Sequence, residues 1–247
     1  MRVSWSRNLA ALVAALAAAV FGYQQIAAGP AEHVLAVSWQ PAFCETRPRL
    51  PECRSQTADR FDASNFALHG LWPQPRSQAY CGVDERTVAQ DKRRRWRDLL
   101  WERLDDDLWS RLRQAMPGTR SGLHKHEWIK HGTCYDGAGA AEYFEDSLKL
   151  LDALNRSEVR DLFAGNIGRE LNGDEIRAAF DRSFGAGAGD RVRISCKNDG
   201  PRRLIVELTI GLSGRIEPDS DVAAHILAAD ATDPGCPGGV VDPVGNQ

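Results

Sequence analysis

The chain has 247 residues, 43% hydrophobic and 26% charged, ordinary proportions for a globular protein with material for one large core. Its 31 Lys and Arg stand against 34 Asp and Glu, a net charge of −3. That balance argues against a protein that coats nucleic acid by bulk attraction, while leaving room for a local cationic pocket.

At the N-terminus, Arg2 and Arg7 precede an apolar run from Leu9 to Phe21, followed by the small residues Ala27, Ala28 and Gly29. A basic start, a short apolar core and a small-residue exit predict a secretory signal peptide over residues 1–28. The run is too short for a spanning helix, which needs about 20 residues. The expected product is an exported, periplasmic or extracellular protein of one catalytic domain, residues 29–247, monomeric and free of the membrane. Losing the leader removes two arginines and no acid, so Lys plus Arg falls from 31 to 29 against 34 acids, and the net charge becomes −5. All six cysteines (Cys44, Cys53, Cys81, Cys134, Cys196 and Cys236) follow the leader. An even number in an exported chain reads as disulfides, with fifteen pairings open for six thiols. No C-x-x-C pair or Cys/His cluster with zinc spacing is present, so no metal or other cofactor is expected.

In chain order, Val34 to Trp39 reads as a buried opening strand. Residues 41–62 carry Pro41, Pro48 and Pro51 and read as a loop stapled on itself by Cys44 and Cys53. Phe66 to His69 reads as a short strand stopped by Gly70 and Pro73, and Pro75 to Val83 as a loop. Glu85 to Met116 reads as a helical region, with Trp96, Leu100, Leu104, Leu108 and Leu112 recurring every four residues before Pro117-Gly118. The basic run Lys92 to Arg97 within it reads as a solvated helix face in preference to an RNA groove. Ala141 to Leu154 is the next helix, and Asn155-Arg156-Ser157 matches a glycosylation sequon. Asn172 can cap a helix to Phe180, with Gly185 to Gly189 as its flexible exit. Arg191–Cys196 and Leu204–Leu212 read as strands. Gly235 to Gln247 reads as a Gly/Pro-rich tail tied back through Cys236.

The chemistry concentrates in His126-Glu127-Trp128-Ile129-Lys130-His131-Gly132-Thr133-Cys134. On a helix, at about 100° per residue, His126, Glu127, Lys130 and His131 share one side while Trp128 and Ile129 fall opposite. Four ionisable groups on one arc are costly to bury without a use. A second segment, His69-Gly70-Leu71-Trp72-Pro73, supplies another histidine. A Cys81–Cys134 bond would clamp both segments to one locality, with Cys44–Cys53 and Cys196–Cys236 as the simplest completion. Two facing histidines can divide proton work, one neutral as base and one protonated as acid, because their ordinary pKa is about 6.5. Lys130 and a protonated His126 suit a substrate that gains negative charge, as phosphoryl transfer does.

Phe66-Ala67-Leu68-His69-Gly70-Leu71-Trp72-Pro73 and the His126–Cys134 stretch, in that order, resemble the two active-site motifs of the ribonuclease T2 family. Weaker similarity extends over most of residues 33–212, and the leader and the tail after Gly214 add nothing to it. The resemblance implies an α+β fold, an antiparallel β-sheet core flanked by several helices and stapled by disulfides. It implies a metal-independent endoribonuclease acting on single-stranded RNA with low base specificity. His131 would be the base for the ribose 2′-hydroxyl and His69 the acid for the leaving 5′-oxygen, giving a 2′,3′-cyclic phosphate. His126 resembles the phosphate-binding histidine, and Glu127 and Lys130 the pair that stabilises the pentacoordinate state. Trp72 and Tyr80 resemble aromatics that stack on the base upstream of the cut. Gln74 stands where the family often has Asp or Asn, a substitution that bears on base preference. Because the nucleophile is a 2′-hydroxyl, no cleavage of DNA is expected.

Two other classes compete. His126-Glu127 begins like the zinc motif His-Glu-x-x-His, but the second histidine is five residues on, about 140° away rather than 40°. The scaffold could also belong to an exported, non-catalytic RNA-binding or signalling protein, since function lives in the site and not in the fold. Taken singly, His33, His124 and His225 read as packed histidines.

Overall fold

The computed structural model describes residues 28–135 and 139–245; the predicted signal peptide lies almost wholly outside them. The fold is α+β. Among the described residues six strands form one sheet in the order β2-β1-β5-β6-β3, with β4 on the other edge of β5. The strands are β1 (His33–Ser38), β2 (Ala67–Pro73), β3 (Glu170–Asn172), β4 (Val192–Asp199), β5 (Arg202–Leu212) and β6 (Gly238–Val240). Every pairing is antiparallel except β5 with β6.

The central strands explain the layering. Leu35 and Val37 of β1 lie beside Leu71 and Leu68 of β2 and beside Ile210 and Leu208 of β5, so one face is continuously apolar. Helix α6 (Ala140–Asn155) covers that face, and the Tyr143 hydroxyl donates to the Leu71 carbonyl at 2.9 Å. Trp39, Phe66 and Phe163 meet nearby with ring centroids 4.7 to 5.6 Å apart. The opposite face carries Ser38, Gly70, Trp72 and Glu207, and it is the face the site occupies.

Residues 41–62 are not the expected loop. Two short helices, α1 (Gln40–Thr46) and α2 (Pro51–Arg54), start there with Pro41 and Pro51 in their first turns. The ring fixes φ near the helical value and removes an N–H with no partner at that position, so these prolines begin helices rather than prevent them. Cys44–Cys53 joins the two helices. The region 85–116 also divides: α3 (Glu85–Lys92) and α4 (Asp106–Ala115) are separated by loops and one 3-10 turn, Trp96–Asp98. Arg94 takes a left-handed φ of +58°, and Leu100 is 93% exposed, so the four-residue apolar period does not form one stripe. Consecutive cations from Lys92 onward repel at helical spacing and favour the break.

Helix α5 (Leu123–Lys130) holds the second motif and ends at His131. After α6 come α7 (Glu158–Ala164) and α8 (Gly173–Phe184), the latter opened by the expected Asn172, in a capping box with Glu175, and running past Phe180. The sequon residue Asn155 is buried, its side-chain amide accepting from and donating to the Phe66 backbone. The tail is structural. After α9 (Val222–Leu227), β6 enters the sheet, the Trp39 indole donates to the Asp242 carbonyl, and Arg202 pairs with the Asp242 carboxylate at 2.9 Å. Three residues with two glycines carry too little strand propensity to be read as a strand in isolation. Cys196–Cys236 ties this segment to β4. No helix among the described residues is long and apolar enough to cross a membrane.

Candidate active site

His69 owes its position to a break in pairing. Val37 lies opposite Leu68 but Ala36 opposite Gly70, so His69 is the extra residue of a β-bulge. A bulge re-aims a side chain without ending the strand. His69 thereby shares the polar face with Glu207, which lies opposite Ser38 on the other side of β1. The Nδ1 of His69 meets Glu207 Oε2 at 2.6 Å, leaving Nε2 turned toward Glu127 Oε1 at 3.7 Å.

Glu127 is the hub. Its side chain is 1% exposed, not presented on an open helix face as the helical arc suggests. The Trp72 indole donates to its Oε2 at 2.8 Å, while Oε1 lies 3.7 Å from His69 Nε2 and 3.9 Å from His126 Nε2. A buried carboxylate needs this company, because an unpaired charge in that position would cost several kcal/mol. The approach requires a residue with no side chain beneath it. A Cβ on Gly70 would lie 2.0 Å from Glu127 Oε2. At the far end of the motif, a Cβ on Gly132 would lie 2.2 Å from the Trp128 ring.

The other histidines close around this hub. Trp96 stacks on His126 with centroids 4.6 Å apart, and His126 Nδ1 contacts the Asp91 carboxylate at 2.8 Å. The His131 ring lies 6.3 Å from that of His126 and 5.6 Å from that of Trp72, with its Nδ1 buried and unpartnered. Their electrostatics diverge. Burial alone would lower the pKa of His69, but the hydrogen bond to Glu207 and the charges of Glu127 and Glu207 outweigh it and raise the value above 6.5. Burial, then the charges of Lys130, His126 and His69, push His131 down to about 3. The two imidazoles are thus displaced in opposite directions, His69 toward its protonated form and His131 toward its neutral one.

The remaining predicted residues sit at the rim. Cys81–Cys134 joins the loop after β2 to the end of α5, and the Tyr80 N–H donates to the Lys130 carbonyl at 2.9 Å. Tyr80 has a φ of +59° and gives its hydroxyl proton to Asp91, a contact that, after burial, raises its pKa. Among the described residues the Lys130 ammonium has no carboxylate partner, although its charge acts on both His69 and His131. Gln74 folds its amide back onto the Trp72 carbonyl at 3.1 Å and stays outside the histidine cluster. No three His, Cys, Asp or Glu side chains among the described residues converge as a metal site.

The ribonuclease T2 family profile matches residues 32–220. The chain belongs to the ribonuclease T2 family. It is a T2-type endoribonuclease. Ribonuclease I of Escherichia coli strain K12 is 30% identical over 199 residues, covering 72% of this chain and 74% of its own. Ribonuclease 3 of Arabidopsis thaliana is 30% identical over 125 residues, 48% and 50% of the respective chains. The crystal structure of RNase NT in complex with 5′-AMP superposes with a TM-score of 0.56 at 19% identity, covering 87% of this chain and 98% of that one, a likeness of fold. The match ends before β6, so the strand that links β3 to β5 in the sheet lies beyond the matched residues.

Asp91 and Glu207 were not among the residues expected at the site. Glu207 leaves a trace in the sequence, as the one acid inside the apolar run Leu204 to Leu212. Asp91 leaves none, because it precedes a run of cations on a polar helix and reads as a surface residue.

Proposed function

We propose that this exported enzyme cleaves single-stranded RNA by metal-independent transphosphorylation. His131, neutral, takes the proton of the ribose 2′-hydroxyl as that oxygen attacks phosphorus. His69, protonated, gives its Nε2 proton to the 5′-oxygen as the P–O5′ bond breaks. The products are a 2′,3′-cyclic phosphate and a free 5′-hydroxyl, and one proton taken matches one given. His126 and Lys130 offset the charge of the pentacoordinate phosphorus, and Glu127 orients both His69 and His126. Trp72 and Tyr80 are proposed to flank the upstream base, with Gln74 free to bond its edge through its carbonyl oxygen.

The observation that carries this reading is the convergence of His69 and His126 on the buried Glu127, with the His131 ring 6.3 Å from that of His126 and the His69 and His131 pKa values displaced in opposite directions. The apolar leader pattern and three disulfides support export. The absence of a 2′-hydroxyl in DNA supports restriction to RNA.

The test is digestion of bulk RNA by the mature protein in excess EDTA, with analysis of the new termini. Cyclic-phosphate ends are expected, and His69→Phe or His131→Phe should each cut kcat/KM by about 10²- to 10⁴-fold. Cleavage abolished by EDTA would replace this mechanism with a metal-dependent one. Tight RNA binding without new termini would favour the non-catalytic reading.

A further inference from the structure

The cations of the run Lys92 to Arg97 are solvent-exposed, as the sequence suggests, but they do not form a helix face. Helix α3 ends at Lys92, and the turn at Arg94 brings Arg94, Arg95 and Arg97 around a hollow of about 460 Å³ with Arg49 and Arg54 from the opposite wall. Among the described residues Asp98 is the only acid lining it, and it pairs with Arg95 at 3.4 Å. Arg97 donates to the Arg120 carbonyl. Arg49, Arg54 and Arg94 are exposed and, among the described residues, have no carboxylate partner. In a chain whose net charge is −3, five arginines converge on one hollow.

The hollow is not isolated. It shares Arg94, Trp96 and Ser121 with a groove of about 790 Å³ that reaches His69 and Glu207. Trp96, at the junction, is the ring stacked on His126. A polyanion leaving the site along this groove therefore arrives among the arginines.

We infer that the arginine hollow is a distal phosphate-binding subsite for the RNA strand downstream of the cut, beyond the nucleotide next to the scissile bond. The inference rests on the proposed roles of the two histidines: His69 serves the leaving 5′-oxygen, so the groove that opens at His69 receives the nucleotides attached to that oxygen. Guanidinium groups grip phosphate oxygens through paired N–H donors, and the mutual repulsion of unpaired arginines is relieved when an anion enters. Phosphate contacts carry no sequence information, so the hollow confers a preference for length, not for base.

The experiment compares a dinucleoside monophosphate with the same step extended by four nucleotides on its 3′ side or its 5′ side. It uses the mature enzyme and the triple variant Arg49→Ala/Arg54→Ala/Arg94→Ala. In the native enzyme the 3′ extension is expected to raise kcat/KM by about tenfold or more at low salt, and the 5′ extension much less, because each phosphate gripped adds salt-sensitive attraction. The variant should lose that gain and keep the dinucleotide rate. Its salt slope on the 3′-extended substrate should become shallower by about 2, at roughly 0.7 per phosphate contact. A gain that survives in the variant, or one produced only by the 5′ extension, overturns the inference. A 3′-extended oligomer with a 2′-deoxy residue at the cut separates this from failure of the mechanism. If neither enzyme cleaves RNA but the variant binds this oligomer tenfold more weakly, the subsite stands and the histidine roles fall. Equal binding removes the subsite.

Discussion

Glu207 Oε2 lies 2.6 Å from His69 Nδ1, across the width of β1, and this contact orients the ring whose other nitrogen faces Glu127. It also stabilises the protonated imidazole. Replacing Glu207 with Gln keeps a hydrogen-bond acceptor but removes the charge, so the pKa of His69 should fall. In the proposed mechanism His131 acts neutral and His69 protonated, so the native pH profile should rise through the His131 value of about 3 and fall above 6.5. In Glu207→Gln the alkaline limb should move to lower pH by about one unit, a loss of several-fold near neutral pH that approaches tenfold only above the native limb, with little change near pH 4.5. A loss of the same size at every pH would mean that Glu207 serves packing and not proton transfer.

Gly70 gives a steric prediction. A methyl group there cannot coexist with Glu127 in its present place, since the separation would be 2.0 Å. The displaced carboxylate would release the Trp72 indole and lose its alignment between His69 and His126. A misplacement of about 1 Å at such a centre costs on the order of a hundredfold in rate. Gly70→Ala should therefore lose about that much kcat while retaining native circular dichroism, with a lowered unfolding midpoint because the buried carboxylate loses partners. Full activity would show that Glu127 is not the organising group.

Asp242, beyond the family region, predicts a pH effect on stability. Its carboxyl is fully buried, and burial, partly offset by Arg202 and reinforced by Glu45, raises its pKa from 3.8 to about 6. The folded state then holds that proton more tightly than the unfolded chain. Asp242 should favour folding most below about pH 4 and lose that contribution as pH rises through about 6, a change on the order of 2–3 kcal/mol. His124 and His131, depressed to about 4 and about 3 chiefly by burial, act in the opposite sense, strengthening the fold as pH rises toward 6.5. Urea unfolding of Asp242→Asn beside the native protein at pH 4, 5, 6 and 7 isolates the first effect. The difference in stability should move in favour of the variant as pH rises, and a constant difference would refute the assignment.

The elements that read correctly from sequence are those whose apolar pattern answers to a single packed face. β1, β5 and α6 bury Leu35 and Val37, Leu208 and Ile210, Tyr143 and Leu151 against one another, and their periodicity records it. The misreadings occur where a distant contact overrides the local signal. Pro41 and Pro51 open helices that Cys44–Cys53 holds together, and Gly238-Gly239 becomes a strand only because β3 and β5 supply partners.

The chain's own order of residues carried the two histidine motifs, because side-chain type and short-range spacing are local properties, and the family resemblance of those motifs implied the α+β class and the chemistry. Only the tertiary structure decided that Glu127 is buried at the centre, that Glu207 and Asp91 hold the outer nitrogens of His69 and His126, and that a run of cations lines a hollow. Those outcomes depend on strand register, a bulge at His69 and a turn at Arg94, which bring together groups as far apart as residues 69 and 207. A pKa follows from what surrounds a group in space, and adjacency in sequence does not specify it.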